Sequence, residues 1–185
     1  LIAIETESVA MGRAMFRAMK KKDCVTLDFG ANSTDMCIMT NGALVFSQSI
    51  PIGSDSLTQA IVNKFNFDYN RAEEFKRAYG LIPNALEGKI YSALLPIVES
   101  IMIEVRRGIE FYKNKTMSPA PMEYLLNGDG ALLPGLTEYV SKSLGVSAQI
   151  ANPWLNISID NRFKNIISKT GGSYSIAVGL ALKDE

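Results

Sequence analysis

At 185 residues, with 47% hydrophobic and 21% charged side chains, the chain can bury a core of its own in one domain or in a domain with an insert. Nineteen basic residues balance nineteen acidic ones, and only Lys20-Lys21-Lys22 forms a basic run, so there is no cationic stripe to neutralise a nucleic-acid backbone. No apolar run approaches the roughly 20 residues that cross a bilayer, and the amino-terminal residues lack the basic, apolar and small-residue order of a signal peptide. Histidine is absent. Cys24 and Cys37 lack CxxC spacing, which points away from zinc and histidine chemistry and toward reduced core thiols of a cytosolic protein.

In chain order, Leu1-Ile2-Ala3-Ile4 reads as a short strand, and the spacing of Val9, Met11, Met15 and Phe16 predicts a helix within Thr6 to Met19. Alternation over Cys24–Phe29, Thr34–Thr40 and Ala43–Ile50 predicts three strands. Asn41-Gly42 supplies the left-handed conformations of a two-residue hairpin turn, so an antiparallel meander is expected. Pro51 and Gly53 end it. Asp55–Phe65 is a helix with Leu57, Ile61, Val62 and Phe65 on one face, and Asp68 caps a second, Asn70–Tyr79, that stops at Gly80.

A long amphipathic helix follows from Lys89 to Tyr112 through Leu94, Ile97, Ile101, Val105 and Ile109, with Pro96 inside it as a potential bend. Ser118-Pro119-Ala120-Pro121 is a linker. Met122–Leu126 is a strand, Pro134–Leu144 a helix, Val146–Ala151 a strand and Tyr174–Leu182 a closing helix. The class is α/β, a mixed sheet carrying the meander and flanked by helices.

Two segments carry chemistry, and each sits where a strand meets a turn. In Asp28-Phe29-Gly30-Ala31-Asn32-Ser33-Thr34-Asp35 a strand-end acid precedes a glycine and small polar residues, so backbone N–H groups and hydroxyls can approach a phosphate while Asp28 faces its metal. In Asn127-Gly128-Asp129-Gly130-Ala131-Leu132-Leu133-Pro134-Gly135 two glycines close an apolar strand, a turn that lets backbone lie flat against a sugar or base. Each has a plainer alternative. Asp28 can simply accept hydrogen bonds from the turn that follows it, and the glycines can serve the backbone alone. The Met11, Met15 and Met19 stripe is core packing.

The first segment, with its Asn41-Gly42 hairpin, resembles the second phosphate motif of the actin-like ATPase superfamily, which includes actin, the heat-shock chaperone ATPases and FtsA. The Leu126–Leu136 turn resembles the adenosine motif of that superfamily. Phe46-Ser47-Gln48-Ser49-Ile50-Pro51-Ile52-Gly53, Leu132-Leu133-Pro134-Gly135-Leu136, Ala151-Asn152-Pro153-Trp154 and Ala177-Val178-Gly179-Leu180-Ala181-Leu182 resemble the PilM family of type IV pilus assembly.

This resemblance implies the ribonuclease H-like second lobe of an actin fold, binding ATP or ADP with magnesium. Asp28 then acts on the metal through water, and Gly30, Ala31, Asn32, Ser33 and Thr34 cradle the β- and γ-phosphates. Gly128, Asp129 and Gly130 form the adenosine turn, although relatives commonly carry a third glycine at the position of Asp129, whose carboxylate repels phosphate unless it points outward. Glu73 and Lys76 match the acid and base flanking ribose and adenine; at i, i+3 they are also an ordinary helix pair. Glu5 aligns with the polar residue that helps position the attacking water, or is an exposed acid at a helix start.

The superfamily's first phosphate loop, an Asp-x-Gly hairpin, is not found in the chain. The expectation is therefore a carboxyl-terminal half: residues 1–22 crossing from a first lobe, 23–185 forming the second lobe with a helical insertion at 58–115, and a return helix at 173–183. Such a half alone is expected to bind nucleotide weakly and to be inactive, the full-length protein having at most weak ATPase activity. Its terminal elements, the Leu1–Ile4 run, the Met11–Met19 stripe and the Ile176–Leu182 helix, are expected to expose apolar surface and drive self-association. The resemblance further implies a PilN-type cytoplasmic tail as partner, within the pilus assembly platform, and a cytoplasmic location peripheral to the inner membrane. The alternatives are an FtsA-like or filament-forming protein, and a nucleotide-binding scaffold without hydrolysis.

Overall fold

The computed structural model describes residues 4–163, 167 and 171–183. The alternation of the sequence becomes a sheet with two apolar faces. Strands β1 (Cys24–Phe29), β2 (Thr34–Thr40) and β3 (Ala43–Ile50) form the antiparallel meander. On the other side of β1, β4 (Glu123–Asn127) and β5 (Ser147–Ile150) add in parallel, giving the order β3-β2-β1-β4-β5. The hairpin turn is the expected one: Asn41 and Gly42 take φ of 51° and 82°, and Asp23 Oδ1 accepts from the Asn41 N–H at 2.8 Å.

Because successive strand residues point to opposite faces, Val25, Leu27, Phe29, Met36, Ile38, Tyr124 and Leu126 enter one core while Cys24, Cys37, Met39 and Leu125 enter another. The first is covered by α2 (Ser54–Phe65), α3 (Tyr69–Tyr79), α4 (Lys89–Thr116) and α5 (Leu136–Leu144) through Leu57, Ile61, Leu94, Met102, Val105 and Val140. The expected bend site at Pro96 lies within α4, which continues through it. The proposed insertion boundary at Thr58 falls inside α2, and α2 through α4 share one core with the sheet.

The second core is covered by α1 (Glu7–Ala18) and α6 (Ser175–Ala181). It overturns the expectation that the Met11–Met19 stripe is exposed. Met11 and Met15 are 1% and 0% accessible, sealed by the sheet and by Val178 of α6. Each such side chain contributes roughly 1.5–3 kcal/mol when withdrawn from water. Gly179 makes the helix pair possible, since a Cβ there would overlap the Ala10 carbonyl. Of the terminal apolar residues, Ile4 and Leu180 stay exposed. Residues 1–3 of the expected opening strand lie outside the described residues, and Ile4 is irregular. Among the described residues no helix is long and apolar enough to cross a membrane.

Candidate functional site

The turn after β1 is built with its carbonyls committed and its amides open. The Gly30 N–H donates to Ser33 O at 2.9 Å. Gly30 O and Ala31 O accept from the Ser54 and Asp55 N–H groups at 2.9 Å each, and so cap α2 where Gly53 offers no side chain to do so. Gly53 has to be glycine, because a Cβ would overlap the Ala31 carbonyl. Thr34 Oγ1 donates to Ile52 O at 2.8 Å. The N–H groups of Ala31, Asn32 and Ser33 take no partner among the described residues, and Ala31 and Asn32 are exposed. A run of unpaired N–H groups at a tight turn is an anion-binding concavity.

Asp28 lies half-buried beside this turn, paired in register with Asp35 on β2 and with Asn127 on β4. Burial first, then the charges of Asp35, Glu7 and Asp129, raise its carboxyl to about 6. A cation would relieve this concentration of negative charge. No group of three or more potential ligands among the described residues is close enough to hold a metal alone. Magnesium fits here only in its usual manner with nucleotides, keeping waters and taking phosphate oxygens beside one carboxylate.

The glycines after β4 answer to a neighbouring backbone. Gly128 takes φ 78°, and a Cβ on it would lie 2.5 Å from Asp28 Oδ1 and 2.6 Å from Phe29 O. A Cβ on Gly130 would lie 2.7 Å from Phe29 O. The two turns are thus stacked on each other. Asp129 Oδ1 accepts from Ser173 Oγ and Asn127 Oδ1 from Ser175 Oγ at 2.6 Å, so the start of α6 is tied to the same turn.

Helix α3 provides the opposite wall. Lys76 is 4% exposed, and its Nζ lies 2.7 Å from Ser54 Oγ, Thr58 Oγ1 and Glu73 Oε2. Thr58 Oγ1 donates to Glu73 Oε2 at 2.7 Å, and Arg77 Nε donates to Glu73 Oε1 at 2.8 Å. Burial pushes the Glu73 carboxyl up, but the hydrogen bonds from Lys76, Thr58 and Arg77 outweigh it and bring it down to about 2. The end of α3 is fastened to the second turn where the Leu81 N–H donates to Pro134 O at 2.7 Å.

Two adjoining cavities of about 420 and 400 Å³ share Ser54, Glu73, Lys76, Arg77, Asp129 and Gly130. One extends to the apolar Leu132 and Leu133, and the other to Gly30, Ala31, Asp55 and Tyr69. The cleft therefore has an apolar end and an amide-lined end, the polarity that a base and a phosphate chain require.

Of the residues singled out from sequence, Gly30, Ala31, Glu73, Lys76, Asp129 and Gly130 line this cleft. Asp28, Asn32, Ser33, Thr34 and Gly128 support it from the β1 and β4 ends. Glu5 does not line it. Arg13 holds Glu5 in a bidentate pair at 2.7 and 2.6 Å, Lys183 adds a contact at 3.5 Å, and these hold its carboxyl below the ordinary range, Arg13 foremost. Sequence reasoning missed Ser54, Arg77, Asp55 and Tyr69. Arg77 was accessible from its i+4 spacing to Glu73; Tyr69, whose hydroxyl donates to Asp55 Oδ1 at 3.1 Å, gave no such signal.

Comparison with solved structures defines the class. The chain superposes on MreB5 of Spiroplasma citri bound to ADP with TM-score 0.71 at 17% identity, over 98% of this chain and 59% of that one. It superposes on an archaeal actin homolog with TM-score 0.63 at 13% identity, over 95% and 52%. The fold is that of an actin-like ATPase lobe. A family profile for the type IV pilus assembly protein PilM matches residues 3–185, so the chain belongs to the PilM family. A chain of the PilM–PilN type IV pilus biogenesis complex is similar to it with TM-score 0.83 at 27% identity, over 98% of this chain and 52% of that one. This chain thus spans about half the length of the solved relatives it matches.

Proposed function

We propose that this chain forms one wall of an ATP or ADP site in a PilM-type pilus assembly protein, and that nucleotide occupancy sets how this lobe meets the remainder of the protein. The observation that carries the reading is the run of N–H groups at Ala31, Asn32 and Ser33 with no partner among the described residues, beside a cleft that Ala31 lines and whose far end is apolar. These amides bind phosphate oxygens, Arg77 offsets the charge that Asp129 brings to the cleft, and Leu132 and Leu133 receive the base. Asp28 orients water on a magnesium ion carried in with the phosphates; bound there, the metal would neutralise phosphate charge. Because Glu5 is held by Arg13, this chain supplies binding rather than hydrolysis.

The partner on this reading is a PilN-type cytoplasmic tail, supported by the likeness to the PilM–PilN complex, and the setting is the cytoplasmic side of an inner-membrane platform. Family membership favours it over an FtsA-like or filament-forming role. One observation favours a scaffold without nucleotide: Lys76 Nζ already has four oxygens within 3.2 Å, so the Glu73–Lys76 pair is complete as it stands. Calorimetry on the whole protein decides between them. Saturable binding of magnesium-ATP and ADP is expected, and no heat with either at millimolar concentration would rule the nucleotide reading out.

A further inference from the structure

A planar trans peptide unit points its C=O and its N–H in opposite directions, so fixing one carbonyl aims the amide of the next residue. At the turn after β1, the Ser54 N–H holds Gly30 O and the Asp55 N–H holds Ala31 O, each at 2.9 Å. These two bonds aim the Ala31 and Asn32 N–H groups away from α2. Both amides have no partner among the described residues. A Cβ on Gly53 would overlap the Ala31 carbonyl, so the start of α2 and the turn lie in direct contact. The direction of these amides is therefore set by where the first turn of α2 sits.

Lys76 of α3 fixes that first turn. Its Nζ lies 2.7 Å from Ser54 Oγ, Thr58 Oγ1 and Glu73 Oε2, and 3.2 Å from Ser54 O. An ammonium has three protons to donate, and three oxygens at 2.7 Å take them all, which leaves none for a ligand. The Thr58 hydroxyl passes its own proton to Glu73 Oε2 at 2.7 Å and closes the ring between α2 and α3. The far end of α3 is also anchored: the Leu81 N–H donates to Pro134 O at 2.7 Å, and a Cβ on Gly135 would lie 2.7 Å from Leu81 O. Helix α3 thus spans from the segment after the β4 turn to Ser54, and Lys76 is its contact there.

We propose that Lys76 is a positioning residue for nucleotide phosphate, an inference that rests on the nucleotide reading of the cleft. It holds Ser54 so that the Ala31 and Asn32 amides stay aimed at phosphate oxygens, and it makes no bond of its own to the ribose or the base. Donors fixed in advance bind without a further ordering cost. Freed from Lys76, the first turn of α2 would shift, and the two carbonyls it holds would turn the amides with it.

The test uses the whole protein containing this chain, the variants Lys76→Met and Thr58→Val, and calorimetry with ADP and with 2′,3′-dideoxy-ADP. Thr58 is fully buried and lines neither cavity of the cleft, so it reaches the nucleotide only through Lys76 and Glu73. Lys76→Met should weaken both ligands by the same factor, ~tenfold or more. Thr58→Val should weaken both several-fold, and it carries the test should Lys76→Met fail to fold. In the nucleotide-free variants the Ser54 and Asp55 amides should exchange faster with solvent while those of β1 and β2 keep their native protection, a pattern that general destabilisation would not give. Unchanged ADP affinity in the folded variants, native exchange at Ser54 and Asp55, or a loss for ADP that dideoxy-ADP does not share would each overturn the proposal, the last by placing Lys76 on the ribose. A native protein that binds neither ligand would overturn the nucleotide reading itself and this role with it.

Discussion

Asp28 and Asp35 face each other across the β1–β2 ladder, both on the side of the sheet turned toward α1, with the Asp28 carboxyl held at about 6 against an ordinary 3.8. Like charges directly opposite on neighbouring strands are destabilising, so the pair is a cost to folding that a bound cation would remove. Folding raises this value, so the folded state binds the proton more tightly. The stabilisation is complete below the ordinary value and lost as pH rises through about 6.

Asp28→Asn should therefore be more stable than the native chain at neutral pH. At roughly 1.4 kcal/mol per pH unit the gain is at most about 3 kcal/mol, and it should vanish near pH 4. Urea midpoints at both pH values measure it. The same variant should weaken magnesium-ATP far more than metal-free ADP in the whole protein, and equal losses in calorimetry would remove Asp28 from the metal's surroundings.

Glu73 carries the opposite sign. Its carboxyl lies near 2 instead of 4.5, so its contribution is present above about 4.5 and disappears as pH falls toward 2. Glu73→Ala leaves the Lys76 ammonium buried without its carboxylate, and the expected loss is about 2–4 kcal/mol at neutral pH. Glu73→Leu/Lys76→Met should recover most of it. A double variant no more stable than the single one would show that packing, not the uncompensated charge, sets the loss.

For Gly130, ligand approach and backbone packing predict different outcomes. Its φ is not left-handed, but a Cβ would press on the Phe29 carbonyl at 2.7 Å. Gly130→Val should then lower stability by about 1–3 kcal/mol as an overpacked contact and lower nucleotide affinity along with it. Chemical denaturation and calorimetry on one preparation separate the two effects. Lost affinity at native stability would mean that the side chain meets the base alone.

The strands were legible because short apolar runs bounded by turn residues mark strands, two of them buried almost throughout, and Asn41-Gly42 favours a tight hairpin turn. The two glycine-bearing turns were legible as a pair. Their contact with each other was not, since nothing in the spacing of Gly128 from Phe29 reports that β4 runs parallel beside β1. Glu73 and Lys76 were found as a helix pair, but the burial of Lys76 against Ser54 and Thr58 depends on how α3 crosses α2. The Met11 and Met15 stripe was correctly taken as core. Its cover was wrongly sought in another lobe, because the small residue that admits α6, Gly179, lies 169 positions from the Ala10 it rests on.

That contact yields the last prediction. Gly179 lies against the Ala10 carbonyl with no room for a side chain, so Gly179→Leu must lift α6 from α1. Met11, Met15 and the sheet residues Cys24 and Cys37 would lose the cover that Val178 provides. The expected loss is at least about 2 kcal/mol, from overpacking together with re-exposed apolar surface. The uncovered patch should bind a hydrophobic dye and raise the weight-average mass in light scattering above that of the native chain, since contiguous exposed apolar area marks an association site. Leu180→Ser, on the exposed side of the same helix, should do neither. Native stability and native scattering in Gly179→Leu would show that α6 does not seal this core.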